Sequence, residues 1–370
     1  MQKILVVPDS FKGSLTSAQV CDILAEVFGW HFPGAQIVRV PLAGGGAGSA
    51  EAFLSAAGGE RRTVRVMGLY GEEVRAPYAL LPGRHTAVIE VAACAGLQLA
   101  RAAGRLQPGR ATTYGVGQMI LDALQIGCRE ILLCLGDSAA SDGGAGCAAA
   151  LGVRFLDASG RSFVPVGDTL KNIAHIDLLG RAPVLAGAKL RVLCDVRRTL
   201  CGGAAGYGQQ AAGLDEGLAH LAAVAEADLG VSIREPPGGG AAGGMGAGAV
   251  AFLGGELCQG TEMLLDLVNF DELLADASLV LTGEGCIDAQ TAQGKVVAGV
   301  ARRARAAGVP VLAFAGILGE GAGQLYELGV TAMQAANRAG LPLEQAAPRA
   351  AADLRRAAED ACRLLELRER

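Results

Sequence analysis

Six polar, mostly glycine-rich clusters follow apolar runs in this chain of 370 residues: PDSFKGS (8–14), LAGGGAGS (42–49), GDSAASDGGAG (136–146), CDV (194–196), GGGAAGGMGAG (238–248) and TGEGCIDAQTAQGK (282–295). Glycine admits positive φ and lets backbone N–H groups approach an anion closely, so such loops suit phosphate. On that ground Gly45, Gly46, Gly143, Gly243, Gly244 and Gly283, with Ser138, Asp142 and Glu284 among them, are candidate nucleotide or phosphate contacts. Lysine is scarce, five residues in all, and two of the five, Lys12 and Lys295, fall inside these clusters. They are candidates for point-charge contacts to phosphate or carboxylate. Asp9, Asp142, Asp195, Glu284 and Asp288 place carboxylates at expected strand ends or in the adjoining loops, where they can hold magnesium or take a proton from a hydroxyl. Asp142 also reads as a helix N-cap. Asp195 directly follows an apolar run, where capping is less natural.

Two familiar nucleotide motifs are excluded. Gly294-Lys295 is followed by Val296 where a P-loop needs Ser or Thr, and Ala289 occupies the first glycine place. No GxGxxG opens a helix directly after a strand with an acid further on.

The elements that must carry these clusters alternate. Residues 3–7 read as a strand and 17–28 as a helix, then 35–42 as a strand and 50–57 as a helix, which suggests a parallel sheet covered by helices. From 63 to 92 three β-like runs (63–67, 74–81, 86–92) follow one another with only turns between them, so the style changes there. Helices over 115–125 and 143–151 and strands over 130–135 and 190–195 fill the middle, and residues 236–255 read as a glycine-rich loop running into a buried helix. The first style returns near 275, with a strand ending at Gly283 and Glu284, a helix over 296–307, strands over 309–315 and 330–335, and a helix over 343–367. These readings predict an α/β domain of residues 1–62 and 270–370 interrupted by an inserted mixed α/β domain of residues 63–269.

The remaining composition narrows the class. With 51% apolar residues and a formal net charge of -5, the chain can bury a full core and offers no electrostatic reason to bind nucleic acid or an anionic membrane. The ten cysteines include no CxxC pair and the four histidines stand apart, so neither a zinc spacing nor a disulfide framework is visible. The N-terminal apolar run is too short for a secretory signal, and the expected location is cytoplasmic.

Taken in order, PDSFKGSLT, TTYGVG (112–117), DGGAG (142–146), CDV with Leu200-Cys201-Gly202, GAAGGMGAG (240–248) and TGEGCIDAQTAQGK resemble the motifs of the bacterial class I glycerate kinases nearly end to end. The resemblance implies a flavodoxin-like parallel-sheet domain interrupted by a second α/β domain, with the active site in the cleft between them. It also implies phosphorylation of glycerate or a related small hydroxy acid, with ATP and Mg2+ as cofactors. Within that expectation Asp195, Asp288 and Lys12 are the catalytic candidates, Asp195 and Asp288 also the magnesium candidates, and Asp9, Ser10 and Lys295 the substrate contacts. The chain departs from the family pattern at Gly44 and Ala47, which replace an aspartate and a glutamate. Further departures are Asp137, Ala140 and Ser141 in GDSAASDGG, Arg198 after CDV, Ala211 in YGQQAAG, and Cys286 for arginine. These changes motivate an alternative expectation, a catalytically weak or inactive paralogue that binds nucleotide or an organic acid. The oligomeric state is not readable from the sequence.

Overall fold

Short runs rich in Val, Leu and Ile become parallel strands when helices cover both faces of the sheet. In the computed structural model, which describes residues 2–46, 48–201 and 211–367, Lys3–Val6 pairs in parallel with Gln36–Arg39 on one side and Leu279–Ile287 on the other. Val311–Leu318 and Ala332–Ala335 continue the sheet in the same sense. Counted by chain position within this sheet, the strand order is 2-1-3-4-5, the flavodoxin-like doubly wound order. The winding reverses between the first and third of these strands. The crevice outside their carboxyl ends is therefore the switch point at which open α/β sheets bind ligands.

Two helices share one side of this sheet. Ser17–His31 begins at a capping box, with Thr16 and Gln19 each satisfying the other's backbone N–H. It buries Val20, Leu24, Val27 and Phe28 in the same core as Leu354, Ala357, Ala358 and Cys362 of Ala350–Glu366. Phe28 meets Phe314 of the sheet edge to face, with ring centroids 6.4 Å apart, the arrangement favoured by aromatic quadrupoles. The helix expected over 343–367 is broken: Leu343–Ala346 and Ala350–Glu366 are separated by a 3-10 turn at Ala347–Arg349. Pro348 sits in that turn, lacking the N–H that a continuous helix needs.

These elements form one unit, Met1–Gly44 with Thr261–Arg370, and Gly45–Gly260 forms the other. The division falls ahead of the expected boundaries at 62/63 and 269/270. Ser49–Ala57 packs on Glu73–Leu80 and Thr86–Glu90 of the inserted unit, and the Glu90 carboxylate accepts from Gly48 N (3.1 Å) and Ala50 N (2.7 Å) at the helix start. At the other boundary Glu262 pairs with Arg303 of the helix Val296–Ala306, 2.8 Å away, and Gly299 leaves room for Thr261. Gly260–Leu267 thus packs with the first unit.

The inserted unit holds a six-stranded sheet. Glu256–Cys258, Lys189–Leu193, Glu130–Cys134 and Thr86–Glu90 run parallel. Glu73–Leu80 and Glu60–Met67 complete it in antiparallel fashion, as the three uninterrupted β-like runs suggest. A small sheet of Arg154–Leu156, Ser162–Phe163 and His175–Asp177 and the helix Ala211–Leu229 are additions to the sequence reading. Among the described residues no helix is long and apolar enough to cross a membrane, and the ten cysteines form no disulfide.

The Leu279–Ile287 strand runs past its expected end at Gly283 and Glu284, which pair with Phe314 and Ala315, and continues to Ile287 opposite Leu318. A Cβ at Gly283 would collide with the Phe314 carbonyl oxygen. Gly283 is thus explained by strand packing and not, as expected, by phosphate approach. Gly283→Ala should lower stability by about 1–3 kcal/mol, the usual cost of overpacking, read as a drop in Tm. An unchanged melting curve would contradict this assignment.

Candidate active site

The first unit gathers its chemistry around the switch point. Val7 N donates to Leu281 O (2.7 Å) and Asp9 N to Gly283 O (2.8 Å), while the Thr282 hydroxyl donates to Val7 O (2.8 Å). The segment leaving the first strand is thereby zipped to the third. Asp9 is half-buried there, and its Oδ1 accepts from Ser10 N at 2.6 Å. Burial pushes its pKa up to about 6; the Ser10 hydrogen bond and the Lys12 charge oppose the rise, and the Glu284 charge adds to it. Lys12 itself is exposed.

Glu284 is only 7% exposed. Its Oε2 accepts from Lys295 Nζ at 3.2 Å, and its Oε1 is buried with no hydrogen-bond partner among the described residues. Burial raises its pKa, and Lys295 and the Thr291 hydroxyl act against that rise. The two residues expected in separate roles, Glu284 on phosphate and Lys295 on substrate, are thus one ion pair. Lys295 also stands at the N-cap of Val296–Ala306. Asp288 Oδ1 accepts from Gln290 N (2.8 Å) and Thr291 N (3.2 Å), and Asp288 N donates back to the Thr291 hydroxyl (3.1 Å). That oxygen holds a turn, leaving Oδ2, 4.0 Å from the exposed Cys286 thiol.

In the second unit Asp142 is the hub. Its carboxylate is fully buried and accepts from Thr113 N (2.7 Å), the Thr113 hydroxyl (2.9 Å), Gly144 N (3.0 Å) and Gly146 N (3.3 Å). Burial raises its pKa even against those four donors. An acceptor so enclosed and so fully used is not open to phosphate. Asp142 instead ties the 142–146 loop to the Thr112–Thr113 turn; the N-cap of Ala145–Ala150 is Gly144 and not, as expected, Asp142.

The glycines beside it are explained by close packing. Gly143 N donates to Gly243 O (3.0 Å), and a Cβ at Gly243 would collide with the Ala140 carbonyl. Ala242, Gly243 and Gly244 are all left-handed, so the helix Ala241–Leu253 is regular only after them. Gly244 leaves room for Gly143 and Leu200. Gly45 O accepts from Gly136 N (2.9 Å) and Gly45 lies against the Leu193 carbonyl, whereas Gly46 keeps partial exposure. Ser138 is buried and its hydroxyl accepts from Ala140 N (3.2 Å). The Ser141 hydroxyl is buried without a partner among the described residues. Asp195 is half-buried two residues beyond the Lys189–Leu193 strand, and its charge, like that of Glu90, reaches the Cys134 thiol.

Among the described residues no three His, Cys, Asp or Glu side chains group as a metal site. Asp195 lies in the second unit and Asp288 in the first. Of the departures from the family pattern, Ala47 and the 207–210 part of YGQQAAG lie outside the described residues. Arg198 is exposed, and its carbonyl accepts from Gly238 N (3.1 Å) and Gly240 N (3.0 Å). Thr113, Thr291 and Glu90 escape sequence reasoning. Thr113 sits inside the TTYGVG motif and was the most detectable of them, whereas Glu90 ends a strand with no polar cluster around it.

A parallel 2-1-3-4-5 sheet with carboxylates and lysines at its switch point is a doubly wound α/β unit with a candidate ligand site. Residues 4–366 match the Glycerate kinase family. A glycerate kinase of Halalkalibacterium halodurans is 43% identical over 90% of each chain. That of Bacillus subtilis is 38% identical over 99% of this chain and 98% of its own. The glycerate 2-kinase of Escherichia coli is 40% identical over 90% of this chain and 89% of its own. A crystal structure assigned to glycerate kinase 2 of Salmonella typhimurium LT2 superposes with a TM-score of 0.80 at 36% identity, covering 100% of this chain and 99% of that one. The chain belongs to the glycerate kinase family, and it is a phosphotransferase.

Asp142→Asn replaces one accepting oxygen with a donor facing N–H groups, and should cost about 1–3 kcal/mol. The expected readout is a lower Tm with native secondary structure. Stability equal to that of the parent would remove Asp142 from its hub role.

Proposed function

We propose that the chain transfers the γ-phosphoryl group of ATP, taken up as its magnesium complex, to the C2 hydroxyl of glycerate, giving 2-phosphoglycerate and ADP. The observation that carries this reading is the family match along nearly the whole chain, with the relative named glycerate 2-kinase favouring the C2 hydroxyl. In the reaction the hydroxyl oxygen bonds to the γ-phosphorus, the bond from that phosphorus to the β–γ bridging oxygen breaks, and the hydroxyl proton leaves to a base. Such transfers depend mainly on positioning and charge neutralisation.

Asp9 is the better base than the expected Asp195 or Asp288. It stands at the switch point, retains solvent contact, and has a pKa pushed up to about 6, close to the pH at which a general base works best. Ser10 adjoins the hydroxy acid in this reading, and Lys12 neutralises charge near it. Gly46 with its loop supplies backbone donors to the nucleotide phosphates. Magnesium carried in by the nucleotide needs only one or two carboxylates besides phosphate oxygens, and either Asp195 or the second oxygen of Asp288 is the candidate.

Glycerate-dependent ADP release should rise with pH through a midpoint near 6 as Asp9 ionises, with Ser10, Lys12 and Glu284 as the groups facing it. Asp9→Asn should lose about a hundredfold in kcat together with that acidic limb. No ADP release with D-glycerate would refute the reading, and an unchanged limb in the variant would remove Asp9 as base.

The same shift has a consequence for stability. Folding raises the Asp9 pKa from 3.8 to about 6, so the folded chain binds that proton more tightly than the unfolded chain. The stabilisation is complete below about pH 4 and is lost as pH rises through 6. Asp9→Asn should therefore gain Tm relative to the parent at pH 8 and show less gain at pH 4. The opposite order would contradict the burial of Asp9.

A further inference from the structure

The Glu284–Lys295 pair holds an acceptor that the protein does not satisfy. Glu284 is more than nine-tenths buried. Lys295 occupies Oε2 at 3.2 Å, while Oε1 has no partner among the described residues. Leaving a buried acceptor unmade costs the desolvation of that oxygen, about 1–3 kcal/mol and more when it is charged. The residues flanking it in the strand, Gly283 and Gly285, carry no side chain that could supply the missing donor. Gly285 is pressed against the backbone of Phe11 and Lys12, and Gly316 against the Gly285 carbonyl.

Three features narrow what the missing donor is. An acceptor-only carboxylate repels phosphate and the carboxylate of a hydroxy acid, which argues against the phosphate role expected for Glu284. No third metal-ligating side chain joins it among the described residues. The pair lies at the switch point of the sheet, beside Asp9, whose pKa registers the Glu284 charge.

Resting on the kinase reading above, we propose that Glu284, anchored by Lys295, is the specificity residue that accepts a hydrogen bond from the substrate hydroxyl that is not phosphorylated, the C3 hydroxyl of glycerate. A site built to bond a hydroxyl discriminates strongly against an analogue lacking it, because its own buried group is then left unpaired. The pair also explains the placement of Lys295 in chemical terms: it fixes one oxygen so that the other faces the ligand.

The test compares D-glycerate with 2-hydroxypropanoate, which keeps the accepting C2 hydroxyl and lacks the one at C3. The parent enzyme should favour glycerate by at least about a hundredfold in kcat/KM. Glu284→Ala should compress that preference to about threefold or less, chiefly by a rise in the KM for glycerate with the KM for ATP unchanged. Glu284→Gln, which retains an acceptor oxygen, should keep part of the preference. Because removing Glu284 strands Lys295, the double variant Glu284→Leu with Lys295→Met carries the same test if Glu284→Ala does not fold, and it too should lose the preference. A parent enzyme that turns over glycerate and 2-hydroxypropanoate equally, or variants that lose both substrates in proportion, would overturn the proposal while leaving the kinase reading intact. No turnover of glycerate by the parent would overturn both.

Discussion

The parallel pairing of Lys3–Val6 with Leu279–Ile287 is the constraint on which the first unit's chemistry depends. It joins strands more than 270 positions apart, with Ile4 opposite Leu279 and Val6 opposite Leu281. Closing so long a loop is unfavourable in entropy, though only logarithmically in length. It is opposed by burial of Ile4, Val6, Leu279, Leu281 and Phe314 in one core. The register has a direct chemical result. It sets the backbone of Asp9 against Gly283, so that the Glu284 charge reaches Asp9, and burial raises the pKa of both. A slip of one residue would turn Glu284 to the opposite face of the sheet.

The second unit solves a different problem with the same residue types. There Asp142 and a set of glycines bring three loops together at backbone distance. The carboxylate is spent on N–H and O–H donors, and the glycines are spent on loop contact. Two buried aspartate or glutamate side chains thus have opposite meanings. Asp142 is fully bonded and organises the loops, whereas Glu284 retains an oxygen with no partner. Counting bonds at each oxygen separates a structural carboxylate from one reserved for a ligand.

Much of this was legible in the sequence. Alternating strand and helix periodicity, interrupted by three adjacent β-like runs, indicated a parallel α/β domain with an insertion, and the ordered motifs indicated the family. Other features needed coordinates. The unit boundaries moved because Ser49–Ala57 is held by Glu90, a contact between residues some forty positions apart. Gly143, Gly243, Gly244 and Gly283 each lie in close contact with neighbouring atoms, a role the sequence does not distinguish from phosphate approach because glycine serves both. Glu284 and Lys295 were each singled out, but their pairing depends on how far the strand extends past Gly283. Local composition does not record that length.

The most direct test of this account is a crystal structure of the protein with D-glycerate and a non-hydrolysable ATP analogue. Glycerate is expected outside the carboxyl ends of Lys3–Val6 and Leu279–Ile287, with its C2 hydroxyl within hydrogen-bond distance of Asp9 and its C3 hydroxyl on Glu284 Oε1. Glycerate bound elsewhere, with Asp9 and Glu284 untouched, would contradict it.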